Sequence, residues 1–266
     1  MAIPLSFSYT CSDPAATTVL YLHGFLGCGE DWSDVALRIG SQFSHLTVDL
    51  PGHGPHPQDA APDYSMATSA QHLIRLLDHL RLDSCDVVAY SMGGRLALYL
   101  AVHFPDRFRR LVVESSSPGL KTVEERTERC RRDNQLADSL EKQSFELFLN
   151  MWYGQPLFAT MDRTGDRFAS LIGRRRRGKP LALARSLRDM GTGAQPSLWN
   201  RLTELAMPIL FLAGEKDRKF SRLAADMAHL CPQGELAILA EAGHNVHFEQ
   251  PERLADEIRR FLTQQE

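Results

Sequence analysis

The run Val87-Val88-Ala89-Tyr90-Ser91-Met92-Gly93-Gly94-Arg95 changes character at its middle. Upstream of Ser91 the residues are apolar and largely β-branched, as in a buried strand. From Arg95 to His103 the composition suits a helix. A strand that breaks directly into a helix makes a tight turn, here with Ser91 at its tip. Residues beside such a turn must be small, because a larger side chain collides with the strand or the helix. Gly93 meets that demand on the far side and Ala89 on the near side. A serine that only caps a helix has a similar local sequence, so the purpose of the turn depends on what else the chain supplies.

Working outward, Thr17 to Leu22 is a continuous apolar run, as expected of a parallel strand buried on both faces, and it ends in His23-Gly24-Phe25-Leu26-Gly27. Asp31 to Ile39 has helical spacing, and His45 to Leu50 reads as a strand. It closes in a Pro51-Gly52-His53-Gly54 reversal where His53 reads as structural. Met66 to Leu80 carries an amphipathic helical stripe. Phe108 to Val113 is a further strand, and Ile3 to Tyr9 reads as an edge strand. Strand and helix alternate, which predicts βαβ units and a mostly parallel sheet.

After Ser115-Ser116-Ser117-Pro118-Gly119 the pattern changes. Lys121 to about Gln195 is helical, charged and without a strand-like run, so it reads as a helical cap inserted over the sheet. Alternation resumes with a strand at Met207–Ala213, a helix at Phe220–Leu230, a strand at Leu236–Leu239 and a closing helix at Glu252–Leu262. The expected division is a core in two parts, 1–117 and 201–266, with a cap at 118–200. Two basic groups fall in the cap, Arg126/Arg129/Arg131/Arg132 and Arg174 to Arg177. Such runs are usually solvated faces. A cap, however, lies above the carboxyl ends of the strands, where α/β folds bind ligands, and arginines there would suit a substrate with several carboxylates.

A chain of 266 residues with 43% hydrophobic and 24% charged residues is ordinary for a globular protein. A net charge of −3 gives no footing for nucleic acid. No run approaches the ~18 apolar residues of a membrane span, and the first residues lack the pattern of a signal peptide. Five scattered cysteines without a C-x-x-C pair argue against zinc or a disulfide framework and for a reducing, cytoplasmic setting. No metal, cofactor or obligate protein partner is implied.

A serine hydroxyl becomes a useful nucleophile or base only when a histidine takes its proton and a carboxylate orients that histidine. The chain supplies Ser91, then Asp217 in a loop after a buried strand, then His244 after the final strand. That is the Ser–acid–His order of α/β-hydrolases, whose nucleophile elbow the Ala89–Gly93 segment resembles, with alanine in place of the first glycine of G-x-S-x-G. The resemblance implies an oxyanion hole made by the backbone N–H groups of Phe25 and Met92. His247 is a rival for the base and Glu114 for the acid.

Beyond the triad, several segments together resemble the 2-succinyl-6-hydroxy-2,4-cyclohexadiene-1-carboxylate synthases of menaquinone and phylloquinone biosynthesis. They are Tyr90–Arg95, Glu114–Leu120, Glu124-Glu125-Arg126 onward, Trp152–Phe158, Gly193–Pro196, Gly214–Phe220 and Gly243–His247. The likeness covers most of the chain from Val19 to Glu249 and includes the cap. It implies an α/β-hydrolase fold used for elimination of pyruvate. Ser91 would act as base, supported by Asp217 and His244, with the two amides stabilising an enolate-like oxygen. Arg95, Arg129 and an arginine near Arg175 would hold carboxylates of the substrate, and Tyr90 and Trp152 would line the pocket.

Two other readings share these residues. A serine esterase or carbon–carbon hydrolase would use the same triad, and a receptor could keep the fold without catalysis. Cationic pocket residues favour the polyanion reading, because a neutral substrate would desolvate them at a cost of several kcal/mol. The chain also lacks a G-x-x-x-x-G-K-[ST] phosphate loop.

Overall fold

The structure, a computed structural model, describes residues 5–56 and 63–264. Its strands are Phe7–Thr10 (β1), Thr18–Leu22 (β2), Ser44–Val48 (β3), Cys85–Tyr90 (β4), Phe108–Glu114 (β5), Ile209–Gly214 (β6) and Gly234–Leu239 (β7). They form one sheet in the order β1-β3-β2-β4-β5-β6-β7. Only β1 runs antiparallel, against β3; every other pairing is parallel. The expected mostly parallel sheet is therefore present.

The central strands are predominantly apolar because both faces are covered. Every residue of β2, β4 and β6 is buried. Successive side chains of a strand point to opposite faces, and the packing follows that alternation. Leu20, Leu22, Val87, Ala89, Leu111, Val113 and Phe211 pack with residues of helices α2 (Met66–His79), α3 (Met92–His103) and α8 (Arg218–Leu230). Val19, Tyr21, Val88, Val112, Leu210 and Leu212 pack on the other side with α1 (Ser33–Ile39) and α10 (Pro251–Leu262).

Among the described residues no strand occurs between β5 and β6. That interval holds α4 (Val123–Lys142), α5 (Phe145–Tyr153), α6 (Asp166–Arg176) and α7 (Pro180–Met190). These helices build an apolar core of their own from Ala137, Leu140, Phe148, Leu171, Leu183 and Leu187, which meets Leu26 and Phe248 from beneath. The start of α4 is set by a capping box: Thr122 accepts from Glu125 N–H at 3.1 Å, and Glu125 accepts from Thr122 N–H at 3.1 Å.

Several boundaries differ from the sequence expectation by a few residues, and three of them have a clear physical reason or bear on the site. The helix after Ser91 begins at Met92 rather than near Arg95, because packing holds Gly93 and Gly94 helical despite their low propensity. Strand β3 stops at Val48, and Leu50 N–H donates to His23 Nε2 at 3.0 Å, a side-chain partner in place of a ladder bond. The edge strand starts at Phe7; Ile3 and Pro4 lie outside the described residues. One short helix was not legible, α9 (Val246–Glu249), directly after His244. No helix of the described residues is long and apolar enough to cross a membrane.

Candidate active site

Ser91 stands between the end of β4 and the start of α3 with φ 49° and ψ −106°. A left-handed φ at a non-glycine residue costs of order 1–3 kcal/mol and persists only where the surroundings enforce it. Here Ser91 N–H donates to the Glu114 carbonyl at 2.9 Å, while the Ser91 carbonyl accepts from Arg95 N–H at 3.0 Å and from Ser116 Oγ at 2.8 Å. Gly93 permits the bend: a Cβ there would lie 2.4 Å from the Leu22 carbonyl oxygen. Ala89, in the position of the usual first glycine, is fully buried and places its methyl group in the core.

Asp217 is the N-cap of α8. Its Oδ1 accepts from Phe220 N–H at 3.2 Å and its Oδ2 from His244 Nδ1 at 2.6 Å. The carboxylate is thus fixed by a helix N-terminus and in turn fixes the imidazole, leaving Nε2 as the other ring nitrogen. Glu249 of α9 braces the loop from below, accepting from Gly243 N–H at 2.9 Å and Asn245 N–H at 3.3 Å. Ser91 and His244 line one cavity. Among the described residues the Ser91 hydroxyl has no hydrogen bond to the His244 ring. Catalytic contacts of this kind often tighten only when substrate is bound.

The rival acid and rival base meet each other. His247 Nδ1 donates to Glu114 at 3.0 Å, and His247 N–H to the same carboxylate at 3.1 Å. The His247 ring stacks on Trp32 at 4.6 Å and meets the edge of Tyr90 at 4.6 Å. The Tyr90 ring also lies 5.4 Å from that of His244. Burial, with the Glu114 charge, pushes the Tyr90 phenol well above its ordinary range, so it remains a neutral donor.

Phe25 and Met92 both line the cavity. Met92 is the first residue of α3, so its N–H is one of the orphan donors of a helix start. The Phe25 N–H has no protein acceptor among the described residues. The Phe25 ring packs edge-on against Trp152 of the cap at 5.1 Å and His53 of the core at 5.5 Å. His53 is buried away from the cavity, its imidazole held neutral mainly by burial.

The cavity is about 520 Å³ and takes its walls from both the strand ends and the cap, including Gly24, Ser116, Arg129, Trp152, Arg175 and Leu187. Its arginines differ in their partners. Arg129 is half-exposed and bonds Asp133 one turn along α4 at 2.7 Å. Arg175 is the buried one of the four consecutive arginines; it shares a face of α6 with Leu171, four residues before. Arg174 reaches Asp31, Arg176 pairs with Glu146, and Arg177 reaches Glu30 at 2.6 Å. Arg95, one turn into α3, is buried and donates only to neutral oxygens: the Met190 carbonyl at 2.9 Å and Gln195 Oε1 at 3.1 Å. Burial, then the nearby Arg129, lowers its guanidinium to about 10, so it is still charged at neutral pH. Gln195, Asp31, Tyr153, Asp133 and Glu249 are site residues that sequence reading did not assign. A polar residue that serves another side chain carries no spacing of its own.

A family model for the alpha/beta hydrolase fold matches residues 17–251. The 2-succinyl-6-hydroxy-2,4-cyclohexadiene-1-carboxylate synthase of Pectobacterium atrosepticum is 35% identical over 94% of this chain and 95% of its own. A Bacillus subtilis protein provisionally given the same name is 38% identical over 94% of this chain and 91% of its own. The solved structure of MenH from S. aureus superposes with a TM-score of 0.91 at 32% identity, covering 96% of this chain and 97% of the other. This chain belongs to the 2-succinyl-6-hydroxy-2,4-cyclohexadiene-1-carboxylate synthase family, within the alpha/beta hydrolase fold.

Proposed function

We propose that the cavity eliminates pyruvate from 2-succinyl-5-enolpyruvyl-6-hydroxy-3-cyclohexene-1-carboxylate, giving 2-succinyl-6-hydroxy-2,4-cyclohexadiene-1-carboxylate. The ring double bond moves from C3 to C2 as a new one forms at C4, so the hydrogen on C2 leaves and the C5–O bond breaks. That hydrogen is acidic because C2 carries the succinyl ketone. In this reading Ser91 passes its hydroxyl proton to His244 Nε2 and takes the C2 proton, while Asp217 stabilises the imidazolium. The electron pair flows through the succinyl enolate to C5 and expels enolpyruvate. The proton on His244 returns to the departing group, which ketonises to pyruvate. The N–H groups of Phe25 and Met92 face the enolate oxygen, where preorganised dipoles lower the barrier most.

One observation carries the polycarboxylate part of this reading. Arg95 is a buried cation at the cavity wall with no carboxylate partner among the described residues. Burying a charge with no bonded counter-ion costs several kcal/mol; the nearby Asp133 carboxylate offsets only part of it, and a substrate carboxylate removes the rest on binding. Arg129 and Arg175 supply further positive charge, Tyr90 a neutral hydroxyl and Trp152 an apolar wall. Residues 118–200 act as the cap that carries the substrate-selective half of the site. The test is to supply the enzymatically prepared cyclohexene precursor and measure pyruvate release. Turnover that Ser91→Ala abolishes is expected. Rapid hydrolysis of simple nitrophenyl esters with no pyruvate from the precursor would overturn the proposal.

A further inference from the structure

The cavity of a polyanion-binding protein contains a buried carboxylate, Asp31, at the end of the 3-10 turn Gly29–Trp32. A bare negative charge there would repel the substrate, and its surroundings show how it is used. Arg175 Nη1 donates to Asp31 Oδ1 at 2.9 Å and forms an ion pair with Oδ2 at 2.8 Å, and Arg174 Nε donates to Oδ1 at 2.9 Å. Cys28 N–H donates to Oδ2 at 3.1 Å. On its other side the Arg175 guanidinium donates from Nε to the Tyr153 hydroxyl at 2.9 Å. Its Nη2 has no protein acceptor among the described residues, which leaves that donor for a ligand.

The same carboxylate touches the loop that carries the Phe25 amide. A Cβ on Gly27 would lie 2.9 Å from Asp31 Oδ2 and 2.8 Å from the Gly24 carbonyl oxygen. The missing side chain at Gly27 therefore lets the carboxylate tuck beneath the Gly24–Gly27 turn, where Gly27 N–H donates to Gly24 at 3.0 Å. Two cations face one anion, so the cluster keeps one net positive charge and still attracts a substrate carboxylate.

We infer that Asp31 is a positioning residue for the elimination: it sets the Arg175 guanidinium in the cavity wall and ties cap helix α6 to the loop bearing the Phe25 N–H. Burial alone would raise the Asp31 carboxyl. The charge and hydrogen bonds of Arg175, with the charge of Arg174, override it and hold the group well below the usual carboxylate range. The strut is thus ionised throughout neutral pH. The inference rests on the proposed function, since it assigns Arg175 a substrate carboxylate.

The test compares Asp31→Asn, Asp31→Glu, Arg175→Lys and the double variant Asp31→Asn/Arg175→Lys in the full chain. Melting curves establish folding, and pyruvate release gives kcat and KM. If Asp31 positions, Asp31→Asn lowers kcat by about 10²-fold, as displaced reacting groups do. Its KM holds or falls, because one charge opposing the substrate is gone. Asp31→Glu keeps the charge but moves the guanidinium, so its kcat falls less than that of Asp31→Asn. The double variant is no slower than Arg175→Lys, because Asp31 acts through Arg175. A folded Asp31→Asn with wild-type kcat, or effects that multiply in the double variant, would overturn the inference. If Asp31→Asn does not fold, wild-type kcat in Asp31→Glu does the same. Should the wild type release no pyruvate, the proposed function fails on its own. The crystal structure of Asp31→Asn, or of Asp31→Glu if that variant alone folds, then decides for Asp31: the guanidinium is expected to leave the Tyr153 hydroxyl, and an unmoved guanidinium would refute positioning.

Discussion

Ser91 shows how much a single residue depends on its neighbours. Its strained backbone is held by one hydrogen bond from the next helical turn and two from distant parts of the chain, and in the proposed reaction its hydroxyl gains reactivity only through His244 and Asp217. Groups that act as a unit are grossly non-additive. Ser91→Ala and His244→Ala are each expected to cost about 10³-fold or more in kcat, with the double variant little worse than either, as steady-state pyruvate release would show. The arginines are expected to separate. Arg95→Ala removes a buried cation that meets only neutral oxygens, so kcat/KM should fall by about 2–5 kcal/mol of transition-state binding. Arg129→Ala removes a half-exposed group already paired with Asp133, and its effect should be nearer the ~1 kcal/mol of an exposed ion pair. Equal losses at the two positions would remove the distinction drawn between them.

At the scale of the element, the strand–turn–helix unit tolerates little change. In Gly93→Ala the new methyl group would overlap the Leu22 carbonyl oxygen at 2.4 Å, and backbone cannot swing aside as a flexible side chain can. The expected loss is about 1–3 kcal/mol of stability or more, measured by urea unfolding, with turnover falling as the elbow shifts. Helix α4 makes a milder test. Thr122→Ala removes the capping box and should cost about 1 kcal/mol, read in the same assay, while leaving the core strands untouched. At the elbow the local pattern was legible because the constraint is itself local: small residues at a bend. Helix α9 was not legible, because a four-residue turn after His244 has no periodicity to read. Its Glu249 matters only because the loop above it needs two acceptors.

Across the whole molecule, the sheet separates function from a liability. Ser91 stands at the carboxyl end of β4. The other end of that strand buries Asp86, whose Oδ1 has no hydrogen-bond partner. Burial raises its carboxyl to about 6, against the opposing pull of Arg109 and Arg110. The folded state therefore binds this proton more tightly than the unfolded chain does, and Asp86 costs stability as pH rises from about 4 to above 6. Asp86→Asn removes the titration. Its stability relative to wild type should improve by about 2 kcal/mol between pH ~4 and pH ~8, in unfolding curves across that range. A constant difference over the range would show that Asp86 does not titrate in this way.

The α/β architecture and the tight turn at Ser91 were readable from the chain alone, because burial on both faces of a strand and tightness at a turn restrict which residues can stand there. The helical character of the segment between β5 and β6 was readable because it is charged and lacks a strand-like apolar run. Folding decided the pairings. Two carboxylates and two histidines were available, and only the three-dimensional arrangement joins Asp217 to His244 and Glu114 to His247. Four consecutive arginines are equivalent as text, yet the pitch of α6 turns Arg175 inward and leaves Arg176 and Arg177 at the surface. Asp31 lies 144 residues from Arg175 along the chain, and no local pattern links them. Periodicity records which side of an element is buried, whereas the partner of a buried charge is fixed only when distant elements pack.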